Sequence, residues 1–261
     1  MLTFHRAACA LAGLEPATDP VLLDALAERQ RKLGRDFPDA LIEWWAVPGG
    51  LDVLGGAQGD LPYQAAELGE PEPWGDGERD FLTIRGLLVV ASEHQGVCHW
   101  AVPLDEGPDP RVLIEVDGAP GEPTWREHAP SVSAWVEACA WDKAAFDLPL
   151  GLTAQDDPLA EADLRLLERE FNSGPTTFGW PGETVWRFEW QDQRVLVWAA
   201  PDGSDWWLLA ETAEALGDLA GTLWSCGGLA RSLSAVQLDE DDEDGAAEST
   251  ILAELRGRRS G

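Results

Sequence analysis

Basic residues are scarce in this chain. Its 261 residues include 18 Lys and Arg against 48 Asp and Glu, a formal net charge of −30. Such a chain repels nucleic-acid phosphates and anionic lipid surfaces and steers toward basic partners. Acids outnumber bases 26 to 10 over residues 1–150 and 22 to 8 beyond, so the charge is not confined to a tail. An acidic surface also keeps a protein soluble. Long apolar runs are missing too: no stretch approaches the roughly 18 residues of a membrane span. The start, MLTFHRAACALAGLEPATDP, has a brief apolar run with little charge, weaker than a secretory signal, and Cys9 stands too near the start for a lipoprotein site. The expectation is a soluble, cytoplasmic protein that binds neither nucleic acid nor membrane.

Cysteine is sparse, and its spacing excludes more than its number. Cys9, Cys98, Cys139 and Cys226 lie far apart with no C-x-x-C pair, which argues against a zinc knuckle or a disulfide framework. Reduced structural cysteines are the default in a cytosolic chain. Catalytic signatures are also lacking. GGLDVLGGAQG has no Gly-Lys-Ser/Thr and does not link a strand to a helix, so neither a P-loop nor a dinucleotide site is expected. There is no His-Glu-x-x-His, Gly-x-Ser-x-Gly or EF-hand pattern. No cofactor and no metal are expected.

What the chain has in plenty is tryptophan, 14 residues against one Tyr and seven Phe. Trp buries a large area but brings an N–H that needs an acceptor, so most of the 14 belong in cores. TDPVLLDALAERQRKLG reads as a helix capped by Thr18 or Asp19, with Leu22, Leu26 and Leu33 on one face. A second helix starts near Pro38, its stripe formed by Phe37, Leu41, Trp44 and Trp45 and widened by Ile42. Residues 51–80 read as a long acidic loop. Strands are expected in FLTIRGLLVVA, GVCHWAVPL and RVLIEV, and a helix capped by Ser131 follows. Residues 1–150 thus read α-α-loop-β-β-β-α.

DLPLGLTAQDD reads as a separator. After it come a helix capped by Asp157 and striped by Ala160, Leu164, Leu167 and Phe171, then strands TVWRFEW, RVLVWAA and DWWLLA, with PDGS as a hairpin turn. ETAEALGDLAGTL closes an α-β-β-β-α extension over 151–237. Six consecutive acids from Asp239 to Asp244 repel one another, so 238–261 is expected to be a mostly disordered tail ending at most in a short helix.

SEHQGVCHWAV, residues 92–102, concentrates reactive side chains. As a strand over 97–102 it would point Cys98 and Trp100 to one face and Val97 and His99 to the other, which splits Cys98 and His99 as metal ligands. Glu93 and His94 fall in the preceding turn with Gln95-Gly96. A hydrolase using His94 and Cys98 remains an alternative.

These residues carry a resemblance. FPDALIEWW ending in glycine, the long loop, LLVVASEHQGVCHWAVPL, RVLIEV, Trp125 and HAPSVSAWVEACAW together resemble the SUKH superfamily of cell-wall assembly regulators and bacterial toxin-immunity proteins. The likeness is to a Trp-rich branch from high-GC bacteria and covers roughly residues 20–145, or to about 225 if the extension is included. It departs where Pro48-Gly49-Gly50 lacks an Asn, and at His94, where a small polar residue is commoner. The resemblance implies an α+β fold, a central mainly antiparallel sheet flanked by helices, that binds proteins and does no chemistry. Many bacterial members act as immunity proteins and others as intracellular scaffolds or regulators. The expected partner is a protein, such as a basic nuclease toxin. The expected contacts are Asp60, Tyr63, Glu67, Trp74, Asp76, Glu78 and Asp80 in the long loop, with Glu93 and His94 in the turn.

Overall fold

Gly13 and Gly34, both left-handed with φ of 67° and 64°, stop the first two helices, α1 (Arg6–Ala12) and α2 (Pro20–Leu33). Pro20 opens α2, and the Asp19 side chain accepts from the Val21 N–H as its cap. The computed structural model describes residues 2–56, 59–74, 77–116, 124–235 and 245–257. The chain divides into two units, residues 1–144 and 145–261. Each is mixed α+β with antiparallel sheets.

In the first unit α3 (Asp39–Trp45) buries Ala40, Leu41, Trp44 and Trp45. After α4 (Gly50–Gly55) come β1 (Leu61–Pro62), the ribbon β2 (Glu72–Trp74) and β3 (Gly77–Arg79), and α5 (Phe81–Arg85). Then follow β4 (Leu87–Ser92), β5 (His99–Pro103), β6 (Val112–Val116), β7 (Thr124–Ala129) and α6 (Val132–Phe146). The five-stranded sheet has the order β1-β4-β5-β6-β7, antiparallel throughout. Val89, Ala101 and Leu113 line up across one face and pack with Phe81 and Leu87, flanked by Tyr63 and Trp125. Leu88, Trp100, Val102 and Ile114, on the other face, are buried as well. Every residue of β5 is therefore covered, as expected for a strand with layers on both sides.

Several sequence expectations are corrected here. Residues 51–80 are not one loop, since they hold α4, β1, β2 and β3. Phe81–Arg85 is a helix and not the start of a strand, because the Asp80 carboxylate caps it through the Thr83 N–H and left-handed Gly86 ends it. The strand expected over 97–102 is β5 and has no solvent face: it begins at His99, which is 7% exposed, while Val97 stays in the turn at 54%. β7 was not foreseen, since TWREHA lacks an apolar alternation.

In the second unit the separator of the sequence reading is β8 (Leu150–Asp156), which lies inside the sheet. α7 (Glu161–Glu170) starts after Ala160, later than an Asp157 cap would place it. β9 (Asn172–Ser173) and β10 (Thr177–Phe178) precede the meander β11 (Thr184–Trp190), β12 (Gln193–Ala200) and β13 (Gly203–Ala210). α8 (Ala213–Leu223), capped by Thr212, leads to α9 (Leu229–Ser232), β14 (Ser234–Ala235) and α10 (Gly245–Gly257). The sheet runs β10-β11-β12-β13-β8-β14, with β9 also on β11. None of its strands pairs with the first sheet, so among the described residues this unit has a sheet of its own.

Ala154, Trp206, Val197 and Trp186 form one row across β8, β13, β12 and β11, and Leu152, Leu208, Val195 and Phe188 form the next. α8 seals this face with Leu216, Leu219 and Leu223. Within the expected tail of 238–261, α10 forms the closing helix and adds Ile251, Leu252 and Leu255 to the same core. Residues 236–244, which contain the acidic run, lie outside the described residues.

Candidate functional site

The first sheet ends in the β4–β5 turn, residues 93–98, with β1 beside it. Leu61 pairs with Ser92, so Asp60 and Glu93 stand next to each other one step beyond that pairing. The Glu93 N–H donates to the Cys98 carbonyl at 2.9 Å and the Gly96 N–H to the Glu93 carbonyl at 2.8 Å. Gly96 is left-handed at φ 72°, the conformation that lets so short a turn close.

Glu93 holds the turn from inside. Its side chain is 4% exposed, and Oε2 accepts from the N–H groups of Gln95 at 2.7 Å and Val97 at 3.4 Å. Oε1 meets His94 Nδ1 at 2.5 Å, and Gln95 Nε2 lies 3.1 Å from His94 Nε2. With Nδ1–H donating to Glu93, Nε2 accepts from Gln95, so both ring nitrogens are engaged. Glu93 is thus a turn former, and His94 is the half-exposed member of the pair.

Asp60 is differently placed. Its Oδ1 is buried with no hydrogen-bond partner. Burial pushes its carboxyl up to about 6, Glu93 adds to the rise and His94 opposes it. Cys98, buried behind the turn, is pushed up to about 12 by burial and by Asp60, Glu93 and Glu115. A thiol so hard to ionise is a poor nucleophile. Behind it, His99 Nδ1 and Glu115 Oε2 meet at 2.7 Å, both buried. Two apolar side chains flank the turn in the open, Leu61 at 53% and Val97 at 54% exposure.

The structure therefore gathers Asp60, Glu93 and His94 of the expected contacts. Tyr63 continues β1, donating its N–H to Val90 at 2.9 Å and accepting from Trp45 Nε1 at 2.8 Å through its carbonyl, and its ring flanks the core. Glu67 is exposed but closes its own turn, Oε2 accepting from the Gln64 N–H at 2.7 Å. Asp80 is the α5 cap, and the Thr83 hydrogen bonds hold its carboxyl below the usual range. Trp74 and Glu78 lie on β2 and β3, and Asp76 lies outside the described residues.

Leu61 and Val97 were missed from sequence because exposure of single apolar residues leaves no periodic trace. Arg29 was missed as well. It is 4% exposed on α2, donates from Nε to the Leu68 carbonyl at 2.6 Å and pairs with Glu70 at 2.7 Å, pinning the loop to the helix. Arg29 and then Lys32 hold the Glu70 carboxyl below its usual value.

In the second unit the Cys226-Gly227-Gly228 turn is clasped by two carboxylates. Asp156 accepts from the Gly228 N–H and Asp163 from Gly227. Burial and these acids push the Cys226 thiol to about 12. A shallow hollow of about 370 Å³ opens beside it between Asp157, Arg231 and Ser232. The Asp156 carboxylate on its wall is already occupied by the Gly228 N–H, so the hollow reads as structural. Among the described residues no cluster of three or more His, Cys, Asp or Glu is arranged for a metal, and no helix is long and apolar enough to cross a membrane.

No protein-family profile, no curated protein and no solved structure matches the chain.

Proposed function

We propose that this chain is a cytoplasmic, non-enzymatic protein-binding module of the SUKH type, an immunity-type protein that neutralises a basic toxin by direct contact. The edge formed by Asp60, Leu61, Glu93, His94 and Val97 is the docking surface. One observation carries the reading: three of the acidic and polar contacts expected from the sequence lie there with two exposed apolar side chains. An apolar centre bordered by charge suits a protein interface. The net charge of −30 favours a basic partner and fast encounter. The best-exposed acids of the loop, among them Glu67, extend the same sign of potential.

The test is co-purification from the source cells with the product of the neighbouring gene, repeated with Val97→Lys and Leu61→Lys. Both positions are exposed, so the variants fold while repelling a basic partner. Loss of the complex in either variant is expected. A complex unaffected by both, and by raising the salt, would remove this edge and charge complementarity from the account. A partner that is a regulator and no toxin would favour the scaffold alternative on the same surface.

A further inference from the structure

Asp60 and Glu93 are two neighbouring carboxylates with unequal support. Glu93 accepts from two backbone N–H groups and from His94. Asp60 leaves Oδ1 buried without a donor. A buried carboxylate oxygen that lacks a donor and lies in the field of another carboxylate is relieved by taking up a proton. His94, whose side chain is 47% exposed, works against the resulting rise of the Asp60 carboxyl.

Among the described residues the surroundings contain few other titrating groups. α4, packed beside β1, contributes Asp52, which is exposed. β4 has no ionisable side chain. Cys98, pushed to about 12, stays neutral through the physiological range. Glu115 is paired with His99. Among the described residues, the groups that act on Asp60 are thus Glu93, which raises its carboxyl, and His94, which opposes the rise.

We infer that Asp60 is a proton switch on this edge: mild acidification neutralises Asp60 while Glu93 goes on holding the turn, so the edge passes from two carboxylates to one. The position of its carboxyl, about 6 against an ordinary 3.8, puts the change within reach of an acid stress. The sign for folding follows from the raised value. The native state binds the proton more tightly than the unfolded chain, so Asp60 contributes its stability at low pH and loses it as pH rises through about 6. For docking the direction is opposite: a cationic partner held by this edge is released on acidification. That second consequence alone rests on the proposed docking role.

Side-chain carboxyl resonances of the intact chain, followed by carbon NMR from pH 8 to pH 3, test the switch. Asp60 is expected to titrate near 6. A midpoint near the ordinary 3.8 overturns the inference whatever the chain binds. Asp60→Asn is expected to raise the melting temperature at pH 7.5 and to flatten its dependence between pH 7.5 and 5, and a wild-type slope retained in the variant also overturns it. Nona-arginine serves as the cationic probe, with its contacts read at the 93–98 amides. Weaker binding at pH 5 than at pH 7.5, absent in Asp60→Asn, supports coupling to docking. A midpoint near 6 with no probe contact at these amides leaves the switch standing and counts against the docking role.

Discussion

His99 and Glu115 face each other across β5 and β6, Nδ1 to Oε2 at 2.7 Å, on the same sheet face as Ala101 and Leu113. Both are buried, so the pair is held out of water. Removing one member of such a pair strands the other, whereas replacing both with apolar residues costs far less. Glu115→Leu alone is expected to lose about 3 kcal/mol, and adding His99→Leu to recover most of it. Urea unfolding of the single and double variants measures this, and strictly additive losses would mean the contact is not shared.

The Trp100 ring behind the turn is 3% exposed and packs edge-on to His128 at 5.9 Å. Trp100→Ala is expected to cost about 3–5 kcal/mol, the range for emptying a large aromatic from a core. Thermal and chemical unfolding check it. An unchanged melting temperature would contradict the burial of β5.

His5 is expected to weaken the fold in acid. It is buried, its Nε2–H donates to the Ala40 carbonyl at 2.7 Å, and its Nδ1 has no partner. Burial lowers its pKa below 6.5, although Ala40, Glu43 and Asp109 work the other way. The unfolded chain therefore takes up the proton first. The stability is complete above 6.5 and is lost as pH falls through the lowered native value. This trend is opposite to that of Asp60. His5→Gln should reduce the loss of melting temperature below pH 6.5, and an identical acid limb in the variant would rule His5 out as its source.

Gly227 and Gly228 are expected to resist substitution. A Cβ on either would run into the Asp156 carboxylate that accepts from the Gly228 N–H, and Gly227 is left-handed at φ 41°. Gly228→Ala is expected to lose about 1–3 kcal/mol through the displaced hydrogen bond. Gly217→Ala, with open space around its Cβ in α8, should be neutral to stabilising. Comparing the two by thermal unfolding separates the clash from a general effect of glycine replacement.

The helices α2, α3, α6 and α8 were legible from sequence because their signals are local. Asp19, Ser131 and Thr212 each supply a cap within three residues of the donor they satisfy. The β12–β13 hairpin was legible because Pro201 and Asp202 mark its turn. α5 was misread because its five residues are too few to show a period. β8 was misread because both of its partner strands, β13 and β14, come much later in the chain. At the candidate site, the turn and its Gly96 could be read directly. The neighbouring position of Asp60 could not, since it depends on a two-residue strand joining Leu61 to Ser92.

By itself the amino-acid sequence determined the acidity, the mixed α+β character, the capped helices and the turn at Gln95-Gly96, all set by composition or by contacts a few residues long. Only the tertiary structure decided that His99 is buried on Glu115, that Glu93 is the scaffold of the turn, that α10 belongs to a core, and that Asp60 lies against Glu93. Each depends on burial and on pairing between distant segments. Those two factors decide whether a carboxylate is solvated, paired or left to seek a proton.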